Sequence, residues 1–103
     1  MKILSWNVRG LGRPSKRHLV KDFIFSSRAD VVCLQESKLQ DLHTSTWRSI
    51  GGSRLNTFDF LPALGTSGGI IIAWDSSQVL GTLIHKGTYS LSIKFSNLDN
   101  NLI

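Results

Sequence analysis

Two polar side chains close apolar, strand-like runs near the start of the chain. Asn7 follows Ile3-Leu4-Ser5-Trp6, and Glu36 follows Val31-Val32-Cys33-Leu34-Gln35. A carboxylate directly behind so apolar a run is expensive to bury unless it is paired or bound to a cation. Glu36 is therefore either a cation ligand or a strand-end residue that reaches solvent or pairs with Lys38. A basic cluster, Arg9, Arg13, Lys16 and Arg17, lies between the two. Residues 1–28 carry seven basic groups against Asp22 alone, while residues 29–103 carry five basic and six acidic groups. All of the positive excess is thus in the first quarter. Such a cluster suits a polyanion, since neutralising phosphates releases counterions; the plainer alternative is a solvated helix face. Aromatic residues do not interleave with these charges closely enough for a single-strand stacking groove.

The elements that must position these groups are readable from periodicity. Residues 2–8 alternate Leu4, Trp6 and Val8 against Ile3, Ser5 and Asn7, which predicts a strand. Two glycines and a proline make residues 9–14 a loop, after which Ser15 caps a helix or Pro14 occupies its first turn. Leu19, Val20, Phe23 and Ile24 form one apolar stripe of a helix over residues 16–25. Residues 31–35 read as a strand buried on both faces, ending at Glu36. Strand, helix, strand is a crossover unit that makes parallel neighbours with a right-handed connection. Asn7 and Glu36 are then expected at the same edge of the sheet, where such sheets place their ligands. Further on, a short helix is allowed between about 41 and 50. Strands are predicted at 70–74, 79–85 and 89–95, joined by tight turns as an antiparallel meander. The expected class is α/β.

Several functions are excluded or weakened by composition. A chain of 103 residues is one small domain, and hydrophobic residues at 41% with charged residues at 18% describe a folding sequence rather than a disordered one. The longest apolar run, 70–74, is far short of the ~20 residues that span a bilayer. Ser5, Asn7 and Arg9 interrupt what would have to be an apolar signal segment, so an intracellular protein with no membrane partner is expected. The single cysteine, Cys33, excludes an intrachain disulfide and reads as a packing residue. His18, His43 and His85 read as ordinary surface or half-buried histidines. Gly10-Leu11-Gly12-Arg13-Pro14-Ser15 partly matches a dinucleotide fingerprint, with Glu36 as its acidic residue. Ser15 stands in place of the third glycine, and a β-meander stands where another helix and strand are needed.

Three motifs occur in order: Ile3-Leu4-Ser5-Trp6-Asn7-Val8-Arg9-Gly10, Leu34-Gln35-Glu36-Ser37-Lys38 and Ser67-Gly68-Gly69-Ile70-Ile71-Ile72-Ala73-Trp74. Together they resemble the opening of the endonuclease/exonuclease/phosphatase superfamily, of the exonuclease III and abasic-site endonuclease kind. The Trp-Asn-Val-Arg-Gly-Leu-Gly form most resembles the endonuclease domains of plant LINE-type non-LTR retrotransposons.

The resemblance implies a two-layer α/β sandwich of mixed sheets with outer helices, of which residues 1–103 supply the N-terminal part. It implies Mg²⁺- or Mn²⁺-dependent hydrolysis of DNA phosphodiesters, with Glu36 as metal ligand and Asn7 organising the catalytic site. Oxygen donors suit hard cations, and Mg²⁺ commonly takes one or two carboxylates plus water and phosphate oxygens. Lys38 matches the lysine of the family's Gln-Glu-Thr-Lys motif as a structural or charge-balancing neighbour. Ser67, Gly68 and Gly69 match a segment of tight backbone packing. Arg9, Arg13, Lys16 and Arg17 are the expected DNA contacts, and a reverse transcriptase region and a nuclear location follow from the lineage. The family's later Asp-x-Asn and Ser-Asp-His motifs are not matched. Asp99-Asn100-Asn101 spells the former only as a turn. The chain alone is therefore expected to be inactive, with the fold continuing past Ile103. Two other readings stay open, a noncatalytic nucleic-acid-binding module and a dinucleotide-binding module. Within the superfamily, lipid and inositol-phosphate substrates also remain open.

Overall fold

The computed structural model describes residues 1–98. The opening crossover unit consists of β1 (Ile3–Asn7), α1 (Pro14–Ser27) and β2 (Val31–Gln35). The two strands pair in parallel, with Ile3 opposite Val31 and Asn7 opposite Gln35. Pro14 takes the first turn of α1, where its missing N–H costs nothing, and Arg13 precedes it in extended conformation without a side-chain cap. The helix closes on Arg28 in the left-handed region, whose N–H donates to the Phe25 carbonyl at 3.3 Å. Then follow α2 (Thr44–Gly51), β3 (Thr57–Leu61), β4 (Ile70–Trp74), β5 (Val79–Lys86) and β6 (Leu91–Asn97).

One mixed sheet has the order β1-β2-β4-β3, with β4 antiparallel to both neighbours. β5 and β6 form a separate antiparallel pair. The three consecutive strands expected after Gly69 are present and joined by tight turns, and they are shared between two sheets, β4 in the larger and β5 with β6 in the smaller. The sheet carries no second parallel β-α unit among the described residues, so the dinucleotide reading loses its architecture. β3 has no counterpart in the sequence expectation, and Tyr89 lies in the β5–β6 turn rather than in a strand. Gly87 donates its N–H to the Ser90 carbonyl at 2.8 Å, which holds that turn and delays the strand to Leu91. The sequence Asp99-Asn100-Asn101 lies outside the described residues.

Strand alternation sorts side chains between two cores. Val32, Leu34, Ile71 and Ala73 pack with Val20 and Ile24 of α1 and Trp47 and Ile50 of α2. The Trp47 indole N–H donates to the Leu55 carbonyl at 2.8 Å, satisfying the one polar group that ring buries. On the opposite face Val31, Ile72 and Trp74 meet Val79, Leu91, Ile93 and Phe95 of the β5–β6 hairpin. Trp74 and Phe95 meet edge to face at 5.3 Å. Gly81 lies beneath the Trp74 indole, and a Cβ there would come within 2.5 Å of the ring. The helix side holds thirteen buried hydrophobic residues and the hairpin side four. At about 1.5–3 kcal/mol per fully buried large side chain, the helix side carries most of the burial energy and the hairpin adds a smaller share on the other face. The hairpin covers β2 and β4 but leaves β1 open, so Ile3 is 56% exposed and Ser5 and Asn7 are also exposed. The outer edge of β1 has no strand beside it among the described residues. No helix among them is long and apolar enough to cross a membrane.

The turn from β4 into β5 is built on Asp75, a buried carboxylate. Its Oδ1 accepts from the Ser77 hydroxyl at 2.6 Å and the Ser77 N–H at 2.9 Å, and Arg54 lies 3.5 Å from Oδ2. The Ser77 hydroxyl chiefly, with the Ser77 amide and Arg54, holds the carboxyl below the usual aspartate range, against an opposing effect of burial. A depressed carboxyl contributes stability that is present above its unfolded value of about 3.9 and is lost as pH falls through the folded value. Asp75→Asn is therefore expected to lower stability at neutral pH and to flatten the fall in stability below about pH 4. Urea unfolding followed across pH checks both.

Candidate active site

Pairing between β1 and β2 continues past the strand ends. The Val8 N–H donates to the Gln35 carbonyl at 3.0 Å, the Gly10 N–H to that of Glu36 at 2.7 Å, and the Leu11 N–H to that of Ser37 at 2.9 Å. From the opposite side, the Ser37 N–H donates to the Gly69 carbonyl at 3.0 Å and the Lys38 N–H to that of Gly68 at 2.9 Å. Residues 36–38 are thus the middle ply of three backbone segments. Glu36 and Lys38 both lie in the left-handed region, with φ of 53° and 59°. A non-glycine residue there costs of order 1–2 kcal/mol, so such conformations persist only where surrounding bonds hold them. Gly69, at φ 93°, fits against this segment where no side chain could: a Cβ there would collide with Ser37 Oγ and lie 3.1 Å from the Lys38 nitrogen.

This backbone places the sequence candidates. Asn7 is exposed at the end of β1, and its Oδ1 accepts from the Arg9 N–H at 3.2 Å, an Asx turn that starts the following loop. By alternation it shares the hairpin side of the sheet with Ser5, whose hydroxyl accepts from Gln35 Nε2 at 2.9 Å. Glu36 follows Gln35, the register partner of Asn7, and is half-buried. Glu36 lines a cleft of about 270 Å³ bordered by Leu61, Pro62 and Ile70 and by Thr88 and Tyr89 of the hairpin turn. The ion pairs among the described residues join His18 to Asp22, Arg54 to Asp75 and Lys86 to Asp59. Glu36 is in none of them, so its pairing with Lys38 is not formed.

The basic residues divide. Arg9, Arg13 and Lys16 line a second, open cleft of about 960 Å³, and Lys38 completes its wall. No acidic side chain among the described residues lines it. Arg17 instead donates its Nε to the Leu11 carbonyl at 2.6 Å, which ties the first turns of α1 to the loop, and borders a small hollow with Pro14, His18 and Ser49. No local sequence signal ties Lys38 to this cluster. The link is visible only when residues 9–13 and 38 are brought together by the backbone weave. Cys33 is a packing residue, its thiol pushed up by burial.

The donor chemistry can be tested against the divalent ion that the resemblance implies. Among the described residues no group of three or more His, Cys, Asp or Glu side chains could cage a metal. One free carboxylate and one amide at adjacent strand ends do fit Mg²⁺ or Mn²⁺ at an open edge, where water and phosphate oxygens supply the remaining ligands. They do not fit a metal held by protein alone.

Residues 4–90 match the profile of the Endonuclease/Exonuclease/phosphatase family, and the chain belongs to that family. It is 42% identical over 41 residues to an exodeoxyribonuclease of Bacillus subtilis (strain 168), a match covering 40% of this chain and 16% of that protein. It is 41% identical over 46 residues to DNA-(apurinic or apyrimidinic site) endonuclease 2 of Schizosaccharomyces pombe (strain 972 / ATCC 24843), a match covering 39% of this chain and 9% of that one. The fold is similar to that of AP endonuclease LMAP from Leishmania major, with a TM-score of 0.59 at 19% identity over 93% of this chain and 39% of the other. The matches thus span well under half of each of these proteins.

Because Gly69 abuts the buried Ser37 at positive φ, Gly69→Ala is expected to cost about 2–4 kcal/mol. Ser37→Ala in the same chain should recover only part of that loss, since the Lys38 amide and the backbone conformation remain in conflict. Chemical denaturation of the single and double variants measures this.

Proposed function

We propose that this chain is the metal-carrying N-terminal part of a Mg²⁺- or Mn²⁺-dependent endonuclease that hydrolyses DNA phosphodiesters, of the kind carried by plant LINE-type non-LTR retrotransposons. One observation carries the reading: Glu36, a carboxylate in no ion pair among the described residues, is held in a strained backbone conformation at a strand end beside Asn7, next to a cleft walled by four cations. Strain retained at a polar strand end is the pattern of a functional position. In this reading Glu36 holds the ion, Asn7 orients groups around it without adding charge, and Arg9, Arg13, Lys16 and Lys38 take the phosphates. When bound, the ion neutralises charge that develops on the phosphoryl oxygens. Hydrolysis also needs a positioned base and further phosphate-binding groups. The motifs that supply them in the superfamily are not matched within residues 1–103, so the chain is proposed to act only when joined to sequence that carries them.

Nicking of supercoiled plasmid tests this. The chain joined to a downstream segment carrying Asp-x-Asn and Ser-Asp-His is expected to nick with Mg²⁺ and to lose about 100-fold or more in rate with Glu36→Gln, given what removal of one transition-state charge stabiliser costs. Equal rates for the variant, or nicking that ignores chelator, would overturn the assignment. Nicking by the 103-residue chain alone, lost with Glu36→Gln, would overturn its proposed inactivity.

The basic cleft favours a second reading, a module that binds nucleic acid without cleaving it. Here duplex DNA affinity should fall steeply with salt, and Arg13→Gln and Lys16→Gln should each lower the slope of log affinity against log salt by about one. Arg17→Gln, which breaks the tie to Leu11, should lower stability and leave the slope unchanged. Affinity that ignores salt removes this reading.

A further inference from the structure

The helix side carries a third cleft, of about 500 Å³, between the C-terminal halves of α1 and α2. α1 starts just beyond the end of β1 and runs back to the start of β2, so this cleft lies at the end of the fold opposite to Asn7 and Glu36. Ile24 and Phe25 supply its apolar surface, and Lys21, Arg48 and Arg54 stand around it, with Asp22 the one acid among the described residues that line it. Phe25 is 82% exposed and belongs to neither core, so folding gains almost nothing from that ring. Arg54 is already committed to the Ala29 carbonyl and to Asp75. Lys21 and Arg48 are in none of the ion pairs among the described residues, and the Asp22 carboxylate lies one turn back along α1, 3.5 Å from His18 Nε2.

We propose that this cleft docks an acidic peptide segment of a partner protein, with one large apolar side chain resting on Phe25 and Ile24 and flanking carboxylates meeting Lys21 and Arg48. Charge complementarity selects the occupant. An apolar peptide without acids leaves both cations unmatched, and a second copy of this chain, at net +5, brings cations to cations. Nucleic acid fits less well than a peptide. Both helices end here, and their last carbonyls put partial negative charge and open acceptors at the cleft. Peptide N–H groups donate to such acceptors, whereas a phosphodiester has no proton to give. Docking here leaves the strand ends free and does not depend on the chemistry proposed for them.

Selection of displayed random peptides against the 103-residue chain tests this, with peptides of about twelve residues, long enough when extended to cross the cleft and both rims. Enriched sequences are expected to place Asp or Glu on both sides of an aromatic or large aliphatic residue. Labelled with fluorescein and titrated by anisotropy, they should lose about 10-fold or more in affinity with Phe25→Ala, as removal of an aromatic anchor requires. Lys21→Gln and Arg48→Gln should each cost about 2- to 5-fold, and Arg13→Gln in the basic cleft should leave binding within about twofold. Lys21, Phe25 and Arg48 are exposed, so these variants keep the fold, which circular dichroism verifies. No enrichment, enriched sequences without acidic residues, or affinity that ignores Phe25→Ala overturns the proposal. Displacement of the peptide by duplex DNA, with an equal loss of DNA affinity in Arg48→Gln, overturns it as well and assigns the cleft to nucleic acid. None of these outcomes touches the nicking result.

Discussion

Everything at the candidate site depends on four backbone hydrogen bonds that hold residues 36–38 between two loops. At about 0.5–1.5 kcal/mol net for each bond, the four together are comparable to the cost of two non-glycine residues, Glu36 and Lys38, in the left-handed region. The margin is narrow. Neither loop alone supplies enough to keep both residues there, so the conformation requires β1 and β4 to be in place on either side of β2. The carboxylate is positioned by the assembled sheet rather than by its local sequence.

The same arrangement explains how an acid and four cations coexist without neutralising one another. Successive residues of the middle ply deliver Glu36 to one cleft and Lys38 to the other, with Ser37 buried between them. A direct ion pair would have silenced both groups. Kept apart in this way, the carboxylate and these cations form no ion pair with one another among the described residues.

How much of this could be read beforehand follows from what each signal depends on. Alternation around Trp6, the apolar stripe of Val20 and Ile24 and the unbroken run at Val31 are local patterns, and they fixed the crossover unit and hence the shared edge of Asn7 and Glu36. β3 escaped because Phe58 and Phe60 alternate over only five residues between polar stretches, a pattern too short to separate from a loop; its place is set by pairing with β4. The division of the strands between two sheets is a tertiary choice, made where Trp74 meets Gly81 and Phe95. Charge clustering groups Arg9, Arg13, Lys16 and Arg17 but carries no direction, whereas the structure turns the Arg17 side chain back to Leu11 and lines one cleft with the other three. Lys38 and Tyr89 join their clefts through long-range packing, and neither has a local signature.

Among the described residues no strand covers the outer margin of β1, which has a consequence for assembly. Ile3 to Asn7 present main-chain donors and acceptors to water along one side, and an edge of this kind recruits another strand. A ribbon paired there would be aligned by the backbone that ends in Asn7. Growth of this sheet is thus left to its edges, β1 among them, since the faces of β2 and β4 are already covered by the helices and the hairpin.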